Sequence, residues 1–452
     1  MSTTLASATY PRSSHDILRL NIETTIGSLL ICFHVLFPLD LGMPGLSIGK
    51  TLSPSIVSSL VALLVIGWTS YGKVFACFRR HFAVGVLLFV AIMVAASSHA
   101  WNAANAFSHT IRFYCCFAVN YAIFVYLVEQ YGYRWMTKAV LIGGGLAAMV
   151  AMSELLRGTR LGLYQHFIDA SSGSGDPLDS RQLGFDFARA TGTMGNPIFM
   201  SILMAVCIPF AFDLKSGVAR FVMLALLAGG AMATVSRTAG LGIFVFFFGC
   251  AFVYRRKFWQ TMAVSALLIG VVAVSSLGQK VGEDPYLLVW AARLGLVDIG
   301  LGTRSDTNVS LRANNSTKVF KDLDENTGPL EFLLGHGYLS SMLIARVDDG
   351  SPGTLDDTPV TLLYEEGIVG LMFFYGVFIV AAWDSRKRAR ETLHWYGGFA
   401  LLASGFGTNF ESYSMFNIVA IGSIAIATAR HWGPADDGQK SIENASKAAG
   451  SE

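Results

Sequence analysis

The sequence has few charged residues for its length. Of its 452 residues, 14% are charged and 53% are hydrophobic, whereas about 25% charged residues is usual for a soluble domain. A chain with this composition is not expected to fold as an ordinary soluble domain. Basic and acidic residues are also balanced, with 33 Lys and Arg against 31 Asp and Glu. This balance argues against a nucleic-acid-binding protein, in which basic residues dominate.

Cysteine clusters and internal repeats are also missing. The 6 cysteines lie in or beside apolar stretches, and none lies in the long polar segments. Disulfide frameworks and zinc sites need several cysteines at characteristic spacings. We therefore expect neither in this chain.

Long apolar runs are what the sequence has instead. A helix of about 20 apolar residues crosses a hydrocarbon core of about 30 Å. This length and spacing predict an all-α, polytopic integral membrane protein with about 12 transmembrane helices. The predicted spans are 22–41, 52–71, 82–100, 110–128, 138–156, 194–213, 218–235, 238–254, 258–277, 359–382, 394–411 and 413–430.

The basic residues predict how these spans are oriented. Lys and Arg accumulate in short cytoplasmic loops, and one side of the predicted bundle carries most of them. The short loops opposite carry only Lys50, Arg112 and Arg237. We therefore predict that both termini lie in the cytoplasm.

This topology divides the chain into four parts. Residues 1–277 form a membrane domain with spans one to nine and an outer loop at about 157–193. Residues 278–358 form a large outer loop or cap between spans nine and ten, and residues 359–432 form the last three spans. The tail 433–452 is rich in Ala, Gly, Ser and charge and is predicted to be disordered.

Two arginines at the outer face are candidate anion-binding groups. Arg189 opens residues 189–197, in which glycines and a proline favour a tight turn into the sixth span. Arg237 is a lone charge in a short turn between two apolar spans. Charges so close to a membrane are costly and often functional, and an arginine can bind a diphosphate. Snorkelling towards lipid headgroups is the alternative explanation for both residues.

Acidic residues at the start of the tenth span are candidate catalytic groups. Asp356 and Asp357 precede Pro359, where they could cap the helix N-terminus. Glu365 and Glu366 follow about 12 Å further along that helix, and capping does not explain carboxylates inside an apolar span.

Two further candidates are weaker. His336 lies between glycines, where a turn or packing role competes with catalysis. Glu411 is an outer-facing carboxylate between the last two spans.

Taken in order, these motifs resemble the O-antigen ligase and polymerase family of bacterial envelope polysaccharide enzymes. The resemblance covers about residues 185–375. It rests on Arg189-Ala190-Thr191-Gly192 with Gly195-Asn196-Pro197, Ser236-Arg237-Thr238, Arg312 ahead of Leu334-Gly335-His336-Gly337, and Asp356-Asp357 followed by Leu362-Leu363, Glu365, Gly367-Ile368-Val369-Gly370.

The resemblance implies glycosyl transfer at the outer face of the inner membrane. The donor would be a sugar chain carried on undecaprenyl diphosphate, used without a nucleotide sugar, a metal or any other cofactor. By position, Arg189, Arg237 and Arg312 would bind the diphosphate, whose negative charge grows as the glycosidic bond breaks. Other implied partners are the lipid bilayer, a chain-length regulator and a flippase, and no nucleic acid.

The last motif departs from the family pattern. Ligases tend to have His-Asn where this chain has Asp356 and Asp357, so we take Asp356 as the base for the acceptor hydroxyl, with Asp357 and Glu365 beside it in the catalytic set. This favours a polymerase of lipid-linked repeat units in exopolysaccharide or O-antigen biosynthesis. A ligase that transfers the polymer to lipid A-core or another acceptor is the alternative. A polysaccharide or lipid-linked sugar transporter or flippase is the alternative of another class, although paired broken helices are not evident.

Overall fold

A computed structural model describes eleven helices, a further helical stretch at 367–372 and 375–376, and the turns next to them. The described residues are 14–36, 54–80, 119–157, 190–194, 197–234, 236, 302–337, 340–344, 358–372, 375–376 and 414–429. The helices are α1 Ser14–Leu36, α2 Pro54–Arg80, α3 Asn120–Tyr131, α4 Arg134–Arg157, α5 Pro197–Ala211, α6 Gly217–Ala233, α7 Gly302–Glu325, α8 Pro329–Leu334, α9 Ser340–Ile344, α10 Thr358–Glu365 and α11 Ser414–Thr428. A 3₁₀ turn, Gly192–Met194, precedes α5. These residues contain no strand, which confirms the all-α prediction for the described part of the chain.

The helices overlap many of the predicted spans. Spans one, two, four, five, six, seven, ten and twelve overlap in whole or in part with α1 to α6, α10 and α11, whereas spans three, eight, nine and eleven lie outside the described residues. Within the described part, α4 is the one helix that is long and apolar enough to cross a membrane, judged by length and composition alone. Several other helices contain shorter apolar stretches. The number of spans therefore stays a prediction.

Helix α4 lies at the centre of the main bundle, where it packs against α1, α5 and α6. Three consecutive glycines allow this close approach. A Cβ atom on Gly143 would contact Val35 of α1, and one on Gly144 would lie 2.9 Å from Cys207 Sγ of α5. On α6, a Cβ on Gly230 would lie 2.8 Å from Ala148 Cβ. Small residues at helix contacts are typical of membrane bundles, where backbones pack closely.

The outer surface of this bundle is also apolar. On α2, Leu64 and Trp68 are 71% and 93% exposed, one helical turn apart. On α4, Ile142, Leu146 and Met149 are exposed at helical spacing. Most of the buried residues on the same helices are apolar too, with Ser59 and Ser70 of α2 and Thr137 and Glu154 of α4 as the buried polar ones. Helices that are apolar all round are characteristic of a lipid environment or of a large interface.

Buried polar groups cluster at one end of the bundle. Glu23 of α1 is fully buried and accepts hydrogen bonds from Ser70, Tyr126 and Tyr131, at oxygen–oxygen distances of 3.0, 2.9 and 2.7 Å. Helix α2 has non-helical backbone angles at Ser70, where this bond forms. The hydroxyls satisfy the buried carboxylate and join α1, α2 and α3.

Helices α7 to α10 pack together into a second group. Val319 of α7 forms a small buried cluster with Val360 and Tyr364 of α10. Leu362, between them on α10, belongs instead to the core of the main bundle. Helix α10 therefore has one face against the second group and one face against the bundle, so it connects the two.

Candidate functional site

The structure describes part of the predicted site. The following predicted residues lie outside the described part: Arg189, Arg237, Asp356, Asp357 and Glu411. Arg312 lies in α7, but its side chain is outside the description. Glu365 is described and buried, and His336 is described and half-buried. The predicted roles of all eight stay predictions, and what the structure adds is the arrangement of the segments around them.

The turn that follows Arg189 in the sequence is held by a carboxylate of α4. Glu154 Oε2 accepts hydrogen bonds from the backbone N–H groups of Thr191 and Gly192, each at 2.8 Å. All three residues are buried, and Gly192 has φ +54°, in the left-handed region that favours glycine. Two successive N–H groups turned towards one point form an anion-binding concavity, and here the anion is the Glu154 side chain.

Two more hydrogen bonds fix the same turn to neighbouring helices. The Thr193 hydroxyl donates to the Val35 carbonyl of α1 at 3.0 Å. The Ala190 N–H donates to the Ala233 carbonyl, at the end of α6, at 3.2 Å. The turn is therefore anchored to α1, α4 and α6 at once.

The bond between Ala190 and Ala233 joins two segments that the sequence singled out separately. Ala190 directly follows Arg189 in the sequence, and Ala233 lies four positions before Arg237. Ser236 lies between Ala233 and Arg237 in the sequence, and its buried hydroxyl has no hydrogen-bond partner in the described part of the chain. The backbone next to Arg189 is thus hydrogen-bonded to the backbone that leads to Arg237, and both arginines are predicted to bind the diphosphate.

A second pair of motifs meets at the junction of α8 and α10. The N–H groups of His336 and Gly337 donate to the carbonyls of Tyr364 and Glu365, at 2.9 and 2.8 Å. Gly335 has φ +82°, and a Cβ there would lie against the Glu365 carbonyl and the next backbone nitrogen. Only glycine permits such an approach of one backbone to another.

Gly367 lies on the other side of the same backbone contact, opposite Leu333 and Gly335. Its φ is +71°, and a Cβ would lie against the Leu333 carbonyl. The Leu-Gly-His-Gly segment and the Glu-Glu-Gly segment therefore pack backbone to backbone, although 28 residues separate His336 from Tyr364.

His336 makes contacts typical of a packing role. Its ring stacks on Tyr364, with centroids 4.3 Å apart and planes inclined by 6°. Nδ1 lies 3.2 Å from the Tyr364 carbonyl, and Nε2 lies 3.3 Å from the hydroxyl of Thr327. Both ring nitrogens therefore have protein partners, which favours the packing interpretation of this residue over catalysis.

The side chains of α10 join the remaining elements of this group. The Tyr364 hydroxyl donates to Asp322 of α7 at 2.6 Å. The buried Ser341 hydroxyl of α9 donates to Glu365. Helix α7, which carries Arg312, is thereby fixed to the helix that follows Asp356 and Asp357 in the sequence.

Sequence reasoning missed the residues that hold these motifs in place. Glu154 lies within the predicted span 138–156, and a carboxylate near the end of such a span is a recognised signal of function. Ser341 and Asp322 have no local signal, because neither side chain is unusual in a polar segment. Their partners become visible only when α7, α9 and α10 are packed together.

The described residues contain no group of three or more His, Cys, Asp or Glu side chains that could hold a metal ion. No family model matches the chain, and no curated protein matches it either. The resemblance to the O-antigen ligase and polymerase family therefore rests on the sequence motifs alone.

Proposed function

We propose that this chain polymerises undecaprenyl-diphosphate-linked oligosaccharide repeat units in exopolysaccharide or O-antigen biosynthesis. It would be a multi-pass protein of the bacterial inner membrane that transfers glycosyl groups at the periplasmic face. The observation that carries the proposal is the hydrogen bond from Ala190 to Ala233. It supports a site in which Arg189 and Arg237 act on one diphosphate, because the two segments that lead to them are bonded together.

The polar contacts at the two ends of α4 support the proposed topology. At one end the Thr137 hydroxyl donates to Asp213 at 2.9 Å, with exposed Lys138 and Lys215 nearby in sequence. At the other end Glu154 binds the turn before α5. From Thr137 to Glu154 an α-helix rises about 26 Å, close to the roughly 30 Å of a hydrocarbon core. The basic end corresponds to the predicted cytoplasmic side.

The same topology agrees with the Glu23 cluster. Glu23 of α1, Ser70 of α2 and Tyr131 of α3 are joined by hydrogen bonds. Each lies near the end of its span that the distribution of basic residues assigns to the cytoplasmic side. The segments next to the two arginines come from ends assigned to the outer side. Contacts between distant parts of the chain thus join ends of the same predicted side.

The proposed transfer needs a leaving-group site and a base. The acceptor hydroxyl attacks the anomeric carbon of the donor as the bond from that carbon to the diphosphate oxygen breaks. The acceptor proton passes to the carboxylate of Asp356, and the bonding electrons leave with the diphosphate. Arg189, Arg237 and Arg312 stabilise the negative charge that grows there.

Deletion of the gene in its host is the first test. Envelope glycans are separated into lipid-linked, lipid A-linked and secreted fractions and run on gels. Loss of long polymer, with single repeat units left on the carrier or on lipid A-core, is the result expected for a polymerase. Long polymer that stays on its carrier would mean a ligase, and an unchanged profile in every fraction would contradict a role in glycan assembly.

Arg237→Ala in the complemented strain tests the site. Loss of a charged group that stabilises a leaving diphosphate is expected to lower polymer output by about 10²–10³-fold, whereas the protein still accumulates in the membrane. Arg237→Lys keeps the charge but not the planar fork, so output should be intermediate. Lys215→Ala removes an exposed positive charge from the turn at the opposite end of α6 and is the matched control. Normal polymer from Arg237→Ala would contradict the assignment.

A further inference from the structure

We infer that Glu154 is a positioning residue for the transfer: it fixes the backbone turn that follows Arg189 in the sequence, on which the proposed binding of the diphosphate depends. This inference rests on the proposed function. It assigns to Glu154 no contact with the substrate. Its role is to fix the turn at Thr191 and Gly192, next to the hydrogen bond from Ala190 to Ala233.

The geometry shows how completely this carboxylate fixes the turn. A single oxygen, Oε2, accepts the N–H groups of Thr191 and Gly192 at 2.8 Å each and lies 3.4 Å from the Thr191 hydroxyl. Glu154 is 2% exposed and Thr191 is 1% exposed. Water therefore cannot replace the carboxylate as the acceptor without opening the packing.

The turn has one local hydrogen bond, from the Met194 N–H to the Thr191 carbonyl at 3.2 Å, and this bond leaves the N–H groups of Thr191 and Gly192 to an acceptor from elsewhere. Gly192 is in the left-handed region, and a Cβ there would lie 2.7 Å from Met200 Sδ. Backbone N–H groups in such a turn point outwards from the chain and need an acceptor from elsewhere. Without Glu154, the bonds from Ala190 to Ala233, from Thr193 to Val35 and from Met194 to Thr191 would have to hold the turn, and the N–H groups of Thr191 and Gly192 would lose their acceptor.

The same contact decides what the turn can offer a substrate. Two adjacent N–H groups in this arrangement are a common phosphate-binding device. Here both donate to Glu154, so they are not free to bind the donor diphosphate. On the proposed function the diphosphate is therefore bound by side chains rather than by these two N–H groups, and Glu154 fixes the backbone next to one of the proposed residues, Arg189.

Variants at this position separate geometry from charge. Glu154→Gln keeps a carbonyl oxygen at the same reach and can accept both N–H groups. Glu154→Asp keeps the charge but is one methylene too short to reach them. A small displacement of catalytic groups can lower a rate by about 10²-fold, so we expect kcat to fall by about that factor in Glu154→Asp and by less than about tenfold in Glu154→Gln.

The kinetic pattern is specific to positioning. Arginines that bind the leaving diphosphate bind it most strongly in the transition state, so misplacing them lowers kcat more than it raises KM. Asp213→Ala is the matched control, because it removes a carboxylate that also joins α4 to the α5–α6 hairpin, at the opposite end of α4. If the substitutions acted only by lowering the stability of the bundle, Glu154→Asp and Asp213→Ala would lower kcat to a similar extent.

The experiment uses the full-length protein in lipid nanodiscs. One measurement is hydrogen exchange at the amides of Thr191 and Gly192, which needs no assumption about function. The other is steady-state transfer from a synthetic undecaprenyl-diphosphate-linked repeat unit. We expect faster exchange and low kcat in Glu154→Asp, and near wild-type values of both in Glu154→Gln and Asp213→Ala.

Other outcomes separate the inference from the proposed function. Wild-type kcat in Glu154→Asp, or a Glu154→Gln variant as slow as Glu154→Asp, would overturn the positioning role while polymerisation stands. If the wild-type protein transfers nothing from the lipid-linked donor although exchange still depends on Glu154, the proposed function fails and the positioning role in transfer fails with it.

Discussion

The backbone contact between the Gly335 and Gly367 turns is open to a direct test. Gly367→Ala places a Cβ against the Leu333 carbonyl at a residue with φ +71°. A non-glycine residue in the left-handed region costs about 1–2 kcal/mol. Moving the turns apart to relieve the contact also breaks the bonds from His336 and Gly337, each contributing about 0.5–1.5 kcal/mol. The total loss is about 2–5 kcal/mol of docking free energy.

A loss of this size changes the population of the docked state. At 1.4 kcal/mol for each factor of ten, the ratio of docked to undocked turns falls by roughly 30- to 4,000-fold. The amides of His336 and Gly337 donate across the contact, so their hydrogen exchange should accelerate by a similar factor. Exchange mass spectrometry of the peptide that contains them measures this directly, and polymer output in cells measures the consequence.

Gly328→Ala is the control within the same region. Gly328 has φ −75°, and the nearest atom to an added Cβ is 3.6 Å away, an ordinary contact. Its substitution should leave exchange at His336 and Gly337 unchanged. Unchanged exchange in Gly367→Ala as well would refute the reasoning, since it would mean that the two turns do not depend on each other.

Two further predictions concern the stability of the main bundle, measured as thermal unfolding in detergent. Tyr126→Phe removes one of the hydroxyls that donate to the buried carboxylate of Glu23, and it should cost about 1.5–3 kcal/mol; an unchanged melting temperature would show that the remaining hydroxyls suffice. Gly230→Ala should destabilise by about 1–3 kcal/mol, because its Cβ would lie 3.0 Å from Ala148 Cα. Gly217→Ala, with nothing within 4 Å, should be neutral or stabilising, and equal effects of the two glycine substitutions would contradict the close packing on α6.

Much of the fold follows from local patterns. Apolar runs of membrane length predict helices, and α4 and α6 begin and end within a few residues of the predicted spans. Such runs are informative because backbone groups in an apolar environment must bond within their own segment. The glycines of the Leu-Gly-His-Gly and Glu-Glu-Gly motifs stood out in sequence for the same local reason, since glycine permits backbone conformations that other residues avoid.

The partners of the buried polar residues could not be predicted in this way. The sequence indicated that Arg189 and Arg237 lie at the same face, but the bond between Ala190 and Ala233 depends on how α5 and α6 pack against α4. Glu154 looked like part of an apolar span until the turn was folded onto it. Nothing in the local pattern of Glu154 specifies a partner more than thirty residues away.

The sequence by itself determined the helical character of the described residues, the positions of the apolar segments and the residue types available for the proposed diphosphate chemistry. These properties depend on each residue and its near neighbours. The tertiary structure alone decided that His336 packs on Tyr364, that Glu365 pairs with Ser341, and that Glu154 holds the turn beside Arg189. A buried polar group takes whichever partner the packing of distant helices brings within about 3 Å, and that choice is not encoded in any one segment.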